Sequence, residues 1–174
     1  MAFDFEAFSQ TQVDAGKIDY EFKQVPDKTE GPGQITGLSG RSMEDYRDKF
    51  NGRHCMVLEV TWQLRDAALQ KELNMDKIEL RQSVMVDLTG PAGQPGSAVD
   101  WSTNRSQQLK DLIVAVGLSN DKQFNFNKLK HQEGWLITGL RDATDGSGRK
   151  FSQVNRVMDL NKGREASKAK NGHA

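Results

Sequence analysis

The stretch DATDGSGRK, Asp142 to Lys150, comes nearest in this chain to a ligand-holding loop. Asp142 and Asp145 are carboxylates a few residues apart, and Gly146 and Gly148 would let the backbone turn tightly. A calcium loop needs oxygen ligands at alternate positions and a closing glutamate, and neither is present. A phosphate cradle should open into a helix, whereas alternation resumes at Phe151. A divalent ion of the kind nucleases use would need a third ligand, and nothing orients one. His54, His131 and His173 lie far apart, Cys55 is the single cysteine, and no CxxC, HxxxH, HExxH, GxSxG or GxxxxGK[ST] pattern occurs. The chain is therefore expected to hold no metal and no cofactor, and not to be an enzyme.

A second kind of chemistry needs only cations and flat rings. Arg41, Tyr46, Arg47, Lys49 and Arg53 fall within or just beyond one glycine-rich segment, and Arg149, Lys150 and Phe151 end another. Arg65, Arg81 and Trp101 lie between them. Guanidinium groups neutralise phosphates and rings stack on bases, but only if the fold brings them to one surface. Lysine and arginine total 24, as do aspartate and glutamate, so no global field favours coating duplex DNA. Asp27, Glu30, Glu44, Asp45 and Asp48 also accompany the first group, and ordinary solvated surface is the competing account for each residue taken alone.

The elements must therefore do the positioning. The length of 174 residues suits one domain, with 36% hydrophobic and 28% charged residues and a mean hydropathy of −0.71. No apolar run approaches the roughly 20 residues of a membrane helix. The first ten residues lack a basic leader region, and a lone cysteine suits a reducing compartment, so a cytoplasmic location is expected. Cys55 itself reads as a small core residue.

Ile18, Tyr20 and Phe22 alternate with charged residues and predict a first strand in GKIDYEFKQV. Pro26 to Gly52 reads as a long loop, with a helical turn in SMEDYRDKF capped by Ser42. HCMVLEVTWQL is a second strand, with Met56, Leu58, Val60, Trp62 and Leu64 sharing a face, so Trp62 belongs to the core. KIELRQSVMVDL is a third, with Arg81 and Asp87 outward and Ile78, Leu80, Val84 and Val86 inward. RDAALQKELNMD connects them through a further helical turn. Leu109, Leu112, Ile113 and Val116 form the stripe of an amphipathic helix ended by Gly117. GWLITGLRDA and KFSQVNRVMDL complete a fourth and a fifth strand around the opening hairpin tip.

This order, β-β-β-α-β-β with one amphipathic helix, is that of a mainly β, OB-fold-like five-stranded barrel, and other α+β arrangements of five strands and one helix also fit it. Residues 14–160 would form the single domain, residues 1–13 an N-terminal arm, and residues 161–174 a basic disordered tail. Phe3, Phe5 and Phe8 in the arm are candidates for docking on the barrel or on a second subunit.

Between about Gly16 and Leu160 the chain resembles phage-encoded single-stranded DNA-binding proteins of the OB-fold type. The resemblance lies in AGKIDYEF before the first strand, FNGRH before the second, the helix NRSQQLKDLIVAVGL followed by FNFNKL, and the hairpin DGSGRKFSQVNRV. Two departures stand out: the tail is basic where many such proteins end acidic, and KHQEGW replaces a glycine-rich step. The resemblance implies a protein that coats single-stranded DNA in phage replication or recombination, inside the host cell. It implies phage or host replication proteins as further partners, with no membrane, and leaves oligomerisation open. On OB-folds the binding face is strands two and three, flanked by the loops joining strands one to two and four to five. The expected binding residues are then Arg41, Tyr46, Arg53, Arg65, Arg81, Trp101, Arg149, Lys150 and Phe151. A virion-associated or protein-interaction module holding a protein partner on the same barrel is the alternative.

Overall fold

A computed structural model describes residues 24–121, 124–144 and 146–171. Its five strands are β1 (Glu30–Ser42), β2 (His54–Leu64), β3 (Ile78–Leu88), β4 (Glu133–Asp142) and β5 (Lys150–Met158). They close a barrel in the order β1-β2-β3-β5-β4, the OB-fold-like, mainly β arrangement that the sequence order implies. Among the described residues the α-helices are α1 (Ala67–Glu72), α2 (Gln107–Ala115) and α3 (Leu160–Asn171).

The barrel differs from the sequence expectation at its first strand. GKIDYEFKQV lies outside the described residues apart from Gln24 and Val25, which are not in a strand. β1 instead forms within the segment read as a loop, paired to β2 on one side and β4 on the other. Its inward positions include Gly31 and Gly33, so the alternation of bulk that marks a strand is missing. The space is filled from the neighbouring strand β4: a Cβ on Gly33 would meet Leu136 Cδ1 at 2.3 Å. Ile35, fully buried, is the first bulky side chain that β1 turns inward.

β2 follows its alternation from Leu58 onward and β3 as far as Val86, whereas Cys55, Val57 and Asp87 are buried at outward positions. Val60, Trp62, Leu64, Ile78, Val84 and Val86 are buried on the inner face, and the Trp62 indole N–H donates to Gln82 Oε1 at 2.9 Å. Cys55 is buried as expected, and desolvation pushes its thiol pKa up. α2 presents Leu109, Leu112, Ile113 and Val116 to the core and packs on β3 and β5. The Leu118 amide donates to the Ile113 carbonyl and the Gly117 amide to that of Val114, a Schellman stop with Gly117 at φ 77°. α1 supplies the helical turn of the β2–β3 connector, capped by Asp66, which accepts from the Leu69 amide at 2.9 Å. In the β1–β2 connector Glu44–Phe50 form a 3-10 helix, with Met43 as the cap position and Ser42 Oγ accepting from the Glu44 amide.

The tail is the second correction. Leu160–Asn171 form a helix where disorder was expected. Asp159 Oδ1 accepts from the Asn161 and Lys162 amides, starting α3. Gly163 then lies on the ring of Trp135, which is buried, and Lys170 pairs with Glu30 at 2.6 Å. The docking uses a missing side chain, so no apolar stripe announces it. The arm at residues 1–13 lies outside the described residues.

A candidate nucleic-acid interface on the outer face of β2 and β3

Register places the exposed cations. Gly37, Ser39 and Arg41 of β1 pair with Thr61, Glu59 and Val57 of β2, which pair in turn with Arg81, Ser83 and Met85 of β3. In a sheet, directly paired residues point to the same side, so this set forms one surface opposite Val60, Trp62 and Val84. At its edge Arg81 pairs in parallel with Gln153 of β5. The β4–β5 ladder then sets Phe151 beside Arg141, both on the outside.

Of these residues Arg41, Glu59, Arg81, Ser83, Arg141, Phe151 and Gln153 line a cleft of about 690 Å³. Arg41, Arg81 and Arg141 converge on it, with Phe151 (42% exposed) and Met75 (39% exposed) as apolar surface. Among the described residues none of the three guanidinium groups has an ion pair or a side-chain hydrogen bond. Two of the three neighbouring carboxylates are engaged: Glu59 accepts from Ser83 Oγ at 2.8 Å and Glu79 pairs with Lys77 at 2.9 Å, while Asp142 of the cleft wall has no ion pair or side-chain hydrogen bond among the described residues. The cleft thus offers unspent donors for anionic oxygens and one exposed ring for stacking. Among the described residues no group of three potential metal ligands forms.

The expected site residues divide. Arg41, Arg81 and Phe151 line this cleft. Arg149 and Lys150 sit at the hairpin end beside it, where Lys150 is in register with Asp142 of the cleft wall and Arg149 Nε donates to Ser147 Oγ. Gly146 and Gly148 both have positive φ, so the glycines do make the turn.

Tyr46, Arg53 and Trp101 are brought near the opposite end of β2. Tyr46 is exposed under the Lys49 ammonium, 5.1 Å from the ring centre. Arg53 lies 3.9 Å from Asp100, whose carboxyl is held below the usual range by its hydrogen bonds from Ser102 and, more weakly, by Arg53. Trp101 is 40% exposed, and its carbonyl accepts from Lys110 Nζ. Arg53 borders a separate recess with Asp87 and Arg105. Asp87 points outward by register yet is buried, because Arg105 covers it at 3.1 Å and lies over the Phe50 ring. Arg65 is elsewhere, tied to Glu133 and to Gln34 Oε1, and braces β2 against β4 and β1. Arg47 is spent on the Gly52 carbonyl.

Sequence reasoning missed Arg141, Met75 and Gln153. The signal for Arg141 was available only through the hairpin register, because Arg141 faces outward once it is paired with Phe151.

No protein-family model matches the chain, and no curated protein is found to be similar to it.

Proposed function

We propose that the protein binds single-stranded DNA with little regard to sequence, along the outer face of β2 and β3. One observation carries this reading: three arginines that are unpaired among the described residues, and an exposed phenylalanine, converge on one cleft at that face of an OB-fold-like barrel. Phosphates would pair with Arg41, Arg81 and Arg141, and a base would stack on Phe151, a contact worth about 1–3 kcal/mol. Guanidinium pairing with backbone phosphates and stacking on a ring carry no base code, which supports tolerance of sequence. A role in coating strands during phage replication or recombination extends this reading through the resemblance of the sequence blocks.

The test is fluorescence anisotropy of labelled oligo-dT at low and high salt, beside duplex of the same length. Tight binding at low salt that weakens steeply with salt, and weaker binding of duplex, supports the reading. Equal affinity for duplex, or no binding at low salt, refutes it.

A further inference from the structure

A second cleft, of about 820 Å³, runs between β5, α2 and the start of α3. It is continuous with the first, since Ser83, Arg141 and Gln153 border both. Its charges favour an anion more than those of the first cleft. There Arg41, Arg81 and Arg141 face Glu59, Glu79 and Asp142, whereas here Arg141, Arg156 and Lys162 face only Asp111 and Asp159. Both of these carboxylates are engaged: Asp111 accepts from Gln107 Nε2 at 2.8 Å, and Asp159 caps α3 through two backbone amides. Arg156 and Lys162 are exposed, and among the described residues neither side chain has an ion pair or hydrogen bond. Val114, 60% exposed on α2, adds an apolar wall.

We propose that a bound single strand does not end at β5 but turns at Arg141 into this second cleft, where Arg156 and Lys162 hold its phosphates. The inference rests on the single-strand reading above and assigns it a longer path. The shared border at Arg141 and the unspent cations beyond it are what carry the strand across Gln153. Val114 then gives a base an apolar surface on leaving the first cleft.

The test compares Arg156→Ala/Lys162→Ala with the unaltered chain, using oligo-dT of about 6 and about 20 nucleotides, within and beyond the span of a small OB-fold site. Both side chains are exposed, so the fold should survive, which thermal unfolding checks. The short oligonucleotide should bind the variant as it binds the parent. The long one should bind about tenfold more weakly, with a salt slope smaller by about 1.4 for two lost phosphate contacts. Arg81→Ala should weaken both. If the parent binds and the double variant matches it at both lengths, or loses equally at both, the second cleft is not on the path. If the parent binds neither oligonucleotide, the single-strand reading falls and this inference falls with it.

Discussion

Arg81 of β3 and Gln153 of β5 form the parallel pair that joins these two strands; Arg81 borders the first cleft and Gln153 borders both. β2 is laddered on both sides over Met56–Leu64, but among the described residues β3 is laddered to β2 and otherwise bridged only at this point and, at its end, from Leu88 to Val99. Amides of β3 that point toward β5 should therefore exchange with solvent sooner than their alternate neighbours, which bond to β2. Hydrogen exchange followed by NMR should show protection alternating along Ile78–Val86, against uniform protection in Met56–Leu64. Uniform protection of β3 would mean a tighter seam than this pairing provides.

Asp87 is almost wholly buried and depends on Arg105 for its charge balance. Arg105→Ala leaves a carboxylate without its partner. Breaking a fully buried pair costs about 3–5 kcal/mol, but the Arg105 side chain is 32% exposed, so about 2 kcal/mol is expected after solvent screening. At this chain length that lowers Tm by roughly 4–8 °C. Replacing both residues together, Arg105→Met with Asp87→Leu, should recover much of the loss. An unchanged Tm in the single variant would contradict the account of the covered strand face.

Gly163 meets the core of the Trp135 ring, not a flexible side-chain end, and an added Cβ would sit 2.0 Å from Cγ. In an exposed helix, glycine to alanine gains about 1 kcal/mol. Here overpacking of about 1–3 kcal/mol opposes that gain and should exceed it. Gly163→Ala should lower Tm and alter the near-ultraviolet dichroism of tryptophan. A raised Tm would show that α3 does not depend on this contact.

Asp100 accepts hydrogen bonds from the hydroxyl and the amide of Ser102, and these hold its pKa below the ordinary 3.8. A depressed folded pKa means that the stabilisation is present above 3.8 and is lost as pH falls through the lower folded value. The Ser102 amide resonance should thus shift with acid at a midpoint below 3.8. A midpoint above 3.8 would contradict the geometry of this turn.

Much of the barrel is legible because β2 and β3 alternate bulky and polar residues over most of their length. Val60, Trp62 and Leu64 can be assigned inward from spacing alone, and the stripe on α2 is equally plain. β1 is not legible because Gly31 and Gly33 leave inward gaps that Leu64 and Leu136 fill, a fact of long-range packing. α3 is hidden for the same kind of reason, being docked through Gly163. Among the candidate residues, outward parity on β3 finds Arg81, and the hairpin reading finds Phe151. Arg65 misleads because its partners, Glu133 and Gln34, are distant in sequence. Arg53 and Trp101 stand apart because the β3–α2 connection, which nothing local specifies, carries Asp100 and Arg105 over that end of β2.

The most direct measurement is amide chemical-shift mapping of the isotope-labelled protein as oligo-dT is added. The largest changes should fall at Arg81, Ser83, Arg141, Phe151 and Gln153, with those around Arg65 and Glu133 near zero. No change on the outer face of β2 and β3, or changes centred on the Arg65 end, would contradict the proposed interface.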